Sequence, residues 1–127
     1  MDMKIILFIL LMFTVLIKAQ ELPLTTAELT ETTYDFGDVS EGEKVTYTVF
    51  MKNTGTNPLI IEDVKPSKGF ITPDWKRGEV APGDKAFIKI EADTKGKRGL
   101  VKGNIKIVSN IETGNLLFNF RINVVEP

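Results

Sequence analysis

Three stretches of the chain alternate between apolar and polar residues with a period of two. In the first, Val45, Tyr47, Val49 and Met51 alternate with Thr46, Thr48, Phe50 and Lys52. The same alternation recurs over residues 86–92 and 116–124. This pattern predicts strands that are buried on one face. Shorter apolar stretches at residues 33–36, 59–64 and 104–108 bring the expected number of strands to six or seven.

Glycine-containing turns separate these stretches. They are Glu41-Gly42, Asn53-Thr54-Gly55, Pro82-Gly83-Asp84, Lys95-Gly96 with Gly99, and Thr113-Gly114-Asn115. Pro82 followed by Gly83 is the pattern of a type II turn, because proline presets φ at the second position and glycine accepts positive φ at the third. Helical periodicity is not sustained anywhere after the N-terminal segment. The sequence therefore predicts an all-β fold, an immunoglobulin-like antiparallel β-sandwich of about seven strands.

The N-terminal segment has the pattern of a signal peptide. Residues 5–17 are apolar except for Thr14, with Lys4 before them and the small Ala19 after them. As a helix this run would be only about 20 Å long, against roughly 30 Å for the hydrocarbon core of a bilayer. We therefore expect a signal-peptide helix over residues 1–19, with cleavage near Ala19 and export to the periplasm or beyond. The alternative is an uncleaved N-terminal anchor.

The rest of the chain is expected to hold a leader and one domain. Residues 20–30 are rich in threonine and contain Pro23, which favours a flexible leader, and residues 31–127 form the predicted sandwich. The leader is also a candidate for docking on an open sheet edge, on its own domain or on a neighbour's. No second apolar run of membrane length follows, so no transmembrane span is expected after cleavage.

Composition narrows the chemistry that is available. The 127 residues include no cysteine and no histidine, and the formal net charge is -1. Disulfides, thiol nucleophiles and zinc-thiolate sites are thereby excluded, together with the commonest general base. Binding to nucleic acid is not expected, because neutralising phosphates needs a concentrated basic surface. We expect no cofactor, no metal and no enzymatic activity.

One segment stands out as a candidate binding site. Residues 68–78 lack clear strand alternation and contain Phe70, Trp75, Lys76 and Arg77. Trp and Arg are enriched at binding hot spots, because they combine a large contact area with a polar group. An aromatic loop beside cations therefore predicts a partner-binding site. The alternative is structural, with Phe70 and Trp75 closing the end of the sandwich and the two cations solvated.

Two charged clusters are weaker candidates. The cations Lys95, Lys97, Arg98 and Lys102 lie around a predicted hairpin tip and would suit an anionic polymer or lipid head groups, although a solvated turn explains them as well. The acids Asp35, Asp38, Glu41 and Glu43 lack the alternating spacing of a calcium loop, so surface solubility is the better interpretation.

An ordered series of short motifs resembles a known family. The series is Tyr34-Asp35-Phe36-Gly37-Asp38-Val39, Glu41-Gly42, Lys52-Asn53-Thr54-Gly55, Pro58-Leu59-Ile60-Ile61, Val64, Thr72-Pro73, Ala81-Pro82-Gly83-Asp84 and Asp93-Thr94-Lys95-Gly96. It resembles the bacterial domain-of-unknown-function 1573 family from about Tyr34 to Asn110. The resemblance implies an exported immunoglobulin-like sandwich, akin to major-sperm-protein and pilus-chaperone domains, and it implies no activity.

The chain departs from that family at one motif. Members commonly carry a serine-cysteine-glycine-cysteine segment just before the threonine-proline pair, whereas this chain has Lys68 and Phe70 in place of the cysteines. Any redox or metal role of that cysteine pair therefore does not carry over to this protein.

Three functional hypotheses remain open. The preferred one is an exported, non-catalytic interaction or structural module that binds a protein or an envelope polymer through loops or a sheet edge. The second is a carbohydrate-binding module, in which Trp75 with Phe70 or Tyr34 forms a stacking platform. The third is an enzyme that uses two carboxylates facing each other across a cleft.

Overall fold

The structure, a computed structural model, describes Met3 and residues 23–127. Apart from Met3, the predicted signal peptide and the first residues of the predicted leader lie outside the described residues. Residues 23–127 contain eight β-strands. They are β1 Ala27–Leu29, β2 Thr33–Ser40, β3 Lys44–Asn53, β4 Ile61–Pro66, β5 Ile71–Trp75, β6 Lys85–Asp93, β7 Gly99–Ser109 and β8 Asn115–Val125.

The eight strands form two four-stranded sheets that face each other. Sheet I has the order β1-β3-β6-β5, and sheet II has the order β2-β8-β7-β4. The predicted all-β sandwich is confirmed. The pairing differs from the expectation in one place, because β2 runs parallel to β8 while every other pair of these strands is antiparallel.

The core lies between the sheets, where the inward-facing residues of the predicted alternating stretches meet. Ala86, Ile88, Ile90 and Ala92 of β6 are fully buried. Ile105, Ile107, Phe118 and Ile122 are buried equally completely from sheet II. The predicted type II turn before β6 is also present, since the Asp84 N–H donates to the Ala81 carbonyl at 3.0 Å and Gly83 has a φ of 85°.

Two strands lie outside the six stretches for which the sequence predicts strands. The first is β5, inside the segment expected to be a loop. The sequence does not indicate a strand at β5 because it contains Pro73 and Asp74, and both residue types are depleted in strands. Pro73 is tolerated since β5 is the edge strand of sheet I, and its nitrogen faces away from β6.

The second additional strand is β1, which falls within residues 20–30. Buried amide side chains hold this segment against the sandwich: the Thr25 hydroxyl donates to Asn53 Oδ1 at 3.0 Å, and Asn110 Nδ2 donates to the Pro23 carbonyl at 3.2 Å. Gly55 permits the close approach, because a Cβ there would collide with the Thr25 hydroxyl. The part of the leader that the structure describes therefore packs as the first strand of the domain.

Among the described residues, no helix has the length and apolar character needed to cross a membrane.

Candidate functional site

β1 and β2, which together we call the first strand, belong to different sheets, so the chain crosses from one sheet to the other between them, halfway along the sandwich. Its first part, β1, pairs with the end of β3, with Ala27 opposite Asn53. Its second part, β2, pairs with the end of β8, starting from Thr33 opposite Asn119. We call the half that contains Asn53 upper and the half that contains Ser40 lower. Each sheet therefore lacks an edge partner over half of this side of the sandwich.

Three aromatic side chains fill the lower half of this side; we call them the aromatic plug. The rings of Tyr34 and Tyr47 stack with centroids 3.5 Å apart, and Phe36 meets Tyr34 edge-on at 5.0 Å. Tyr47 also lies parallel to the buried Phe118 at 6.3 Å. The plug closes the space between the sheets where β3 has no neighbouring strand.

The Tyr47 hydroxyl is fixed by a carboxylate. It donates to Glu31 Oε1 at 2.5 Å, in the segment where the first strand crosses between the sheets. This hydrogen bond, followed by desolvation and the negative charge of Glu31, raises the pKa of Tyr47 to about 12. The contact ties the crossing segment to the plug.

The upper half of the same side holds a groove instead of a plug. Two hollows of about 210 and 310 Å³ share Ala27 and Leu116 in their walls and together form what we call the edge groove. Its apolar lining residues are Ala27, Leu29, Ile111, Leu116 and Leu117. Leu117 is 50% exposed. The groove therefore presents accessible apolar surface.

Beside this groove, four residues of β8 have a strand partner on one side only. Asn115–Phe118 pair with β7, whereas the pairing with β2 begins at Asn119. The Asn119 N–H donates towards β2, to the Thr32 carbonyl at 2.9 Å. Because backbone groups alternate in direction along a strand, the N–H and C=O of Leu117 point to the same side of β8 as those of Asn119. Within residues 23–127, no strand pairs with them there; we call residues 115–118 the free edge of β8.

The structure spreads the predicted site residues along β5 instead of gathering them in a loop. Phe70 precedes β5 and Trp75 ends it, so about 16 Å of extended chain separates the two aromatic residues. Both rings are half-buried against the core. Lys76 and Arg77 follow and are exposed. A binding role for these four residues stays a prediction.

The faces of the two predicted aromatic rings are in contact with cations. The Arg77 guanidinium lies 3.5 Å from the centre of the Trp75 ring, and Lys97 Nζ lies 5.4 Å from the centre of the Phe70 ring. Trp75 Nε1 is buried without a hydrogen-bond partner among the described residues. A ligand that stacked on Trp75 would have to displace Arg77.

The aromatic platform of the carbohydrate hypothesis is not assembled. Tyr34 lies on β2, at the edge of sheet II opposite to β4, whereas Trp75 lies on β5, which packs beside β4. Tyr34 stacks face to face with Tyr47, so it does not form a side-by-side platform.

The charged clusters are divided among separate partners. Asp35 contacts Arg121 at 3.8 Å, Asp38 accepts from Asn123 at 2.9 Å, and Glu41 accepts from the Gly96 N–H at 2.8 Å. Among the described residues, no group of three or more acidic side chains is placed to hold a metal ion. On the basic side, Arg98 pairs with Glu126 at 3.1 Å.

Sequence reasoning missed the edge groove. One signal was available: Leu117 occupies a position of β8 where the alternation expects a polar residue, between Leu116 and Phe118. The free edge beside Leu117 exists because the chain changes sheets between β1 and β2. The local sequence pattern does not predict where that change occurs.

Several solved structures are similar to this chain and share its fold at low identity. A protein of unknown function from Porphyromonas gingivalis W83 is 21% identical, with a TM-score of 0.70, and the match covers 80% of this chain and 47% of that one. The chain thus spans about half the length of that protein. The ASH / PapD-like domain 7 of human CEP192 is 14% identical, with a TM-score of 0.63 and coverage of 85% and 91%.

Enzymes also contain similar regions. A family 123 glycoside hydrolase from Clostridium perfringens is 12% identical, with a TM-score of 0.60, and the match covers 82% of this chain and 27% of the hydrolase. At these identities the likeness establishes the fold alone. No curated protein matches the chain.

The family comparison confirms the resemblance carried by the ordered motifs. The match spans residues 27–124, which run from the first residue of β1 almost to the end of β8. The chain belongs to the DUF1573 family, described as proteins of unknown function.

Proposed function

We propose that the protein is a non-catalytic binding module that takes an extended segment of a partner protein along the free edge of β8. The single observation that carries this proposal is the free edge lying directly beside the apolar edge groove. A partner segment would hydrogen-bond to the outward N–H and C=O of Leu117. Its alternate side chains would enter the groove between Leu29 and Leu116.

Both parts of this surface are needed for selective binding. Main-chain hydrogen bonds give affinity without regard to sequence, whereas a groove of limited size selects the side chain that enters it. The hollows of about 210 and 310 Å³ are of a size to accept one or two aliphatic side chains. An apolar residue at alternate positions is therefore the expected feature of the partner segment.

The expected affinity is modest. Burying one aliphatic side chain contributes roughly 1.5–3 kcal/mol, and each backbone hydrogen bond a net of roughly 0.5–1.5 kcal/mol. Ordering the segment opposes these gains. A four-residue edge alone therefore supports a transient contact, and a stable complex would need further surface.

The non-catalytic and exported parts of the proposal rest on the sequence. The chain has no histidine or cysteine, which leaves few groups for acid-base or nucleophilic chemistry. The signal-peptide pattern over residues 1–19 supports action in the periplasm or outside the cell. Because similar sandwiches occur in unrelated proteins, the fold does not by itself assign the role.

A displayed library of extended peptides tests the proposal, with the purified protein as the target. From the selected peptides, those that compete with one another, and so share one site, would be kept. Their affinity for the wild type would be compared with their affinity for Leu117→Pro and for Leu117→Ala. Proline removes the outward N–H at a position where no bond to β7 is lost, whereas alanine keeps it. We expect Leu117→Pro to weaken binding at least about tenfold and Leu117→Ala to weaken it by only about two- or threefold.

A second variant keeps the test decisive if the proline variant does not fold. Ala27→Val narrows the edge groove without touching β8 and should reduce binding several-fold. Equal binding by wild type and Leu117→Pro, or by wild type and Ala27→Val, would show that the selected peptides bind elsewhere. That result, or a library without binders, would overturn the proposal.

A further inference from the structure

The outer face of sheet I presents two phenylalanines side by side. Phe50 of β3 is 41% exposed, and Phe87 of β6 lies directly opposite it and is partly exposed. The Thr30 N–H donates to the Phe50 carbonyl, so the Phe50 backbone faces β1 rather than β6. Phe50 and Phe87 therefore form a non-hydrogen-bonded pair, the kind that brings cross-strand side chains closest.

Four lysines surround this pair. Lys52 and Lys85 lie opposite each other one row above it, again as a non-hydrogen-bonded pair. Lys76 lies beside Phe87, because its N–H donates to the Phe87 carbonyl at 3.1 Å, and Lys89 is the next outward residue of β6. We call these six residues the basic aromatic face. Like charges directly opposite in a sheet are destabilising, so the Lys52–Lys85 pair does not serve folding.

The charge of this face stands out against the rest of the protein. Three carboxylates adjoin it, Glu28 opposite Lys52, Asp74 opposite Lys89 and Glu91 beside Lys89, which leaves an excess of one positive charge on a chain of net charge -1. Within residues 23–127 none of the four lysines lies within ion-pair distance of a carboxylate.

The outer face of sheet II also carries cations, but there two of them have acidic neighbours. Arg121 lies 3.8 Å from Asp35, and Lys65 lies 3.9 Å from Asp63. Among the described residues, ion pairs within 4.0 Å therefore form on the outer face of sheet II and not on the outer face of sheet I.

We propose that the basic aromatic face docks on an anionic lipid surface. Lysine is depleted from protein–protein interfaces, whereas phenylalanine beside lysine is the combination that binds at the boundary of an anionic bilayer. The lysine stems run along apolar surface and place the ammonium groups among the lipid head groups. The basic aromatic face lies on sheet I and does not include the free edge of β8, so it is independent of the proposed function.

Vesicle sedimentation tests this inference with the purified protein. The probes are vesicles of phosphatidylcholine alone and vesicles that also contain phosphatidylglycerol. We expect binding only to the phosphatidylglycerol vesicles, and its loss in about 1 M salt, where the Debye length falls to about 3 Å. Lys52→Glu with Lys85→Glu should weaken binding at least about tenfold, and Phe50→Ser should weaken it several-fold.

Matched variants on sheet II control for net charge and for exposed apolar surface. Lys102→Glu with Lys106→Glu makes the same change in net charge, and Leu100→Ser removes a side chain that is 50% exposed. These controls should bind vesicles like the wild type. Lys76→Glu, at a position just past the end of β5, provides a single change that leaves Lys52 and Lys85 intact in case the double variant fails to fold.

Three outcomes would overturn the inference. One is equal loss of binding in the sheet I and sheet II double variants, which would show a response to net charge alone. Another is equal binding to both kinds of vesicle. The third concerns poly-glutamate, a probe for an acidic protein partner. If the Lys52→Glu, Lys85→Glu variant lost binding to poly-glutamate but still bound vesicles, the face would be assigned to an acidic protein.

Discussion

The upper and lower halves of one side of the sandwich differ in how the space beside an unpaired sheet edge is filled. In each half one sheet lacks an edge partner, because β1 serves only the upper half of β3 and β2 only the lower half of β8. The lower half is closed by the aromatic plug of Tyr34, Phe36 and Tyr47. The upper half is lined by the smaller Ala27 and Leu29 and stays open as the edge groove.

The difference shows that a missing edge strand does not by itself create a binding surface. Where rings stack into the space between the sheets, side-chain packing replaces the absent strand. Where the inward side chains are small, both apolar surface and outward backbone groups remain accessible. A stabilising half and an accessible half therefore lie on one side of the molecule, and each can be altered separately.

Removing a ring from the plug should have the largest effect. We expect Phe36→Ala to lower the free energy of unfolding by about 3 kcal/mol, since Phe36 packs against Tyr34, Tyr47 and Phe120. Leu29→Ala, the corresponding truncation in the upper half, should cost only about 1–2 kcal/mol, because leucine is smaller than phenylalanine and the groove already leaves part of Leu29 without neighbours. Urea unfolding of the wild type and both variants measures the difference. Equal losses would remove the distinction between the two halves.

The sequence predicts the parts of this arrangement that depend on local pattern. Alternation identifies β3, β6 and β8, and it places Ile88 and Phe118 in the core, because a strand with one buried face must repeat every two residues. The turn at Pro82 and Gly83 follows from their φ preferences alone. The ordered motifs identify the family over nearly all of the domain.

The sequence does not predict features that depend on distant neighbours. The docking of the segment before β1 depends on Asn53 and Asn110, which contact Thr25 and Pro23 from far along the chain. The candidate site changed for the same reason. Phe70 and Trp75 are close in sequence, but β5 is extended, so the predicted cluster is spread out, whereas Ala27 and Leu116 are distant in sequence and line one groove.

A smaller effect is expected from the hydrogen bond that ties the plug to the crossing segment. The pKa of Tyr47 is raised from 10.0 to about 12, so the folded protein favours the protonated phenol. The resulting stability is fully present below pH 10 and is lost as the pH rises towards 12. Glu31→Gln should lower the pKa of Tyr47 towards its ordinary value and flatten that pH dependence.

Spectroscopic titration measures this pKa directly. The chain has two tyrosines, so a Tyr34→Phe background keeps the stacked ring and leaves Tyr47 as the only phenol that titrates. In that background the midpoint should fall when Glu31→Gln is added. An unchanged midpoint would mean that Glu31 does not hold the Tyr47 hydroxyl in solution.

The smallest change should come from partly filling the open half. Ala27 lies in the walls of both hollows of the edge groove, and its position in β1 suits a β-branched residue. We therefore expect Ala27→Val to raise the free energy of unfolding by about 0.5–1 kcal/mol, as filling a cavity commonly does. The same change should weaken peptide binding at the free edge of β8, so stability and binding would move in opposite directions. A loss of stability in urea unfolding would show that the groove has no room for two more methyl groups, and that the upper half is already as closely packed as the aromatic plug.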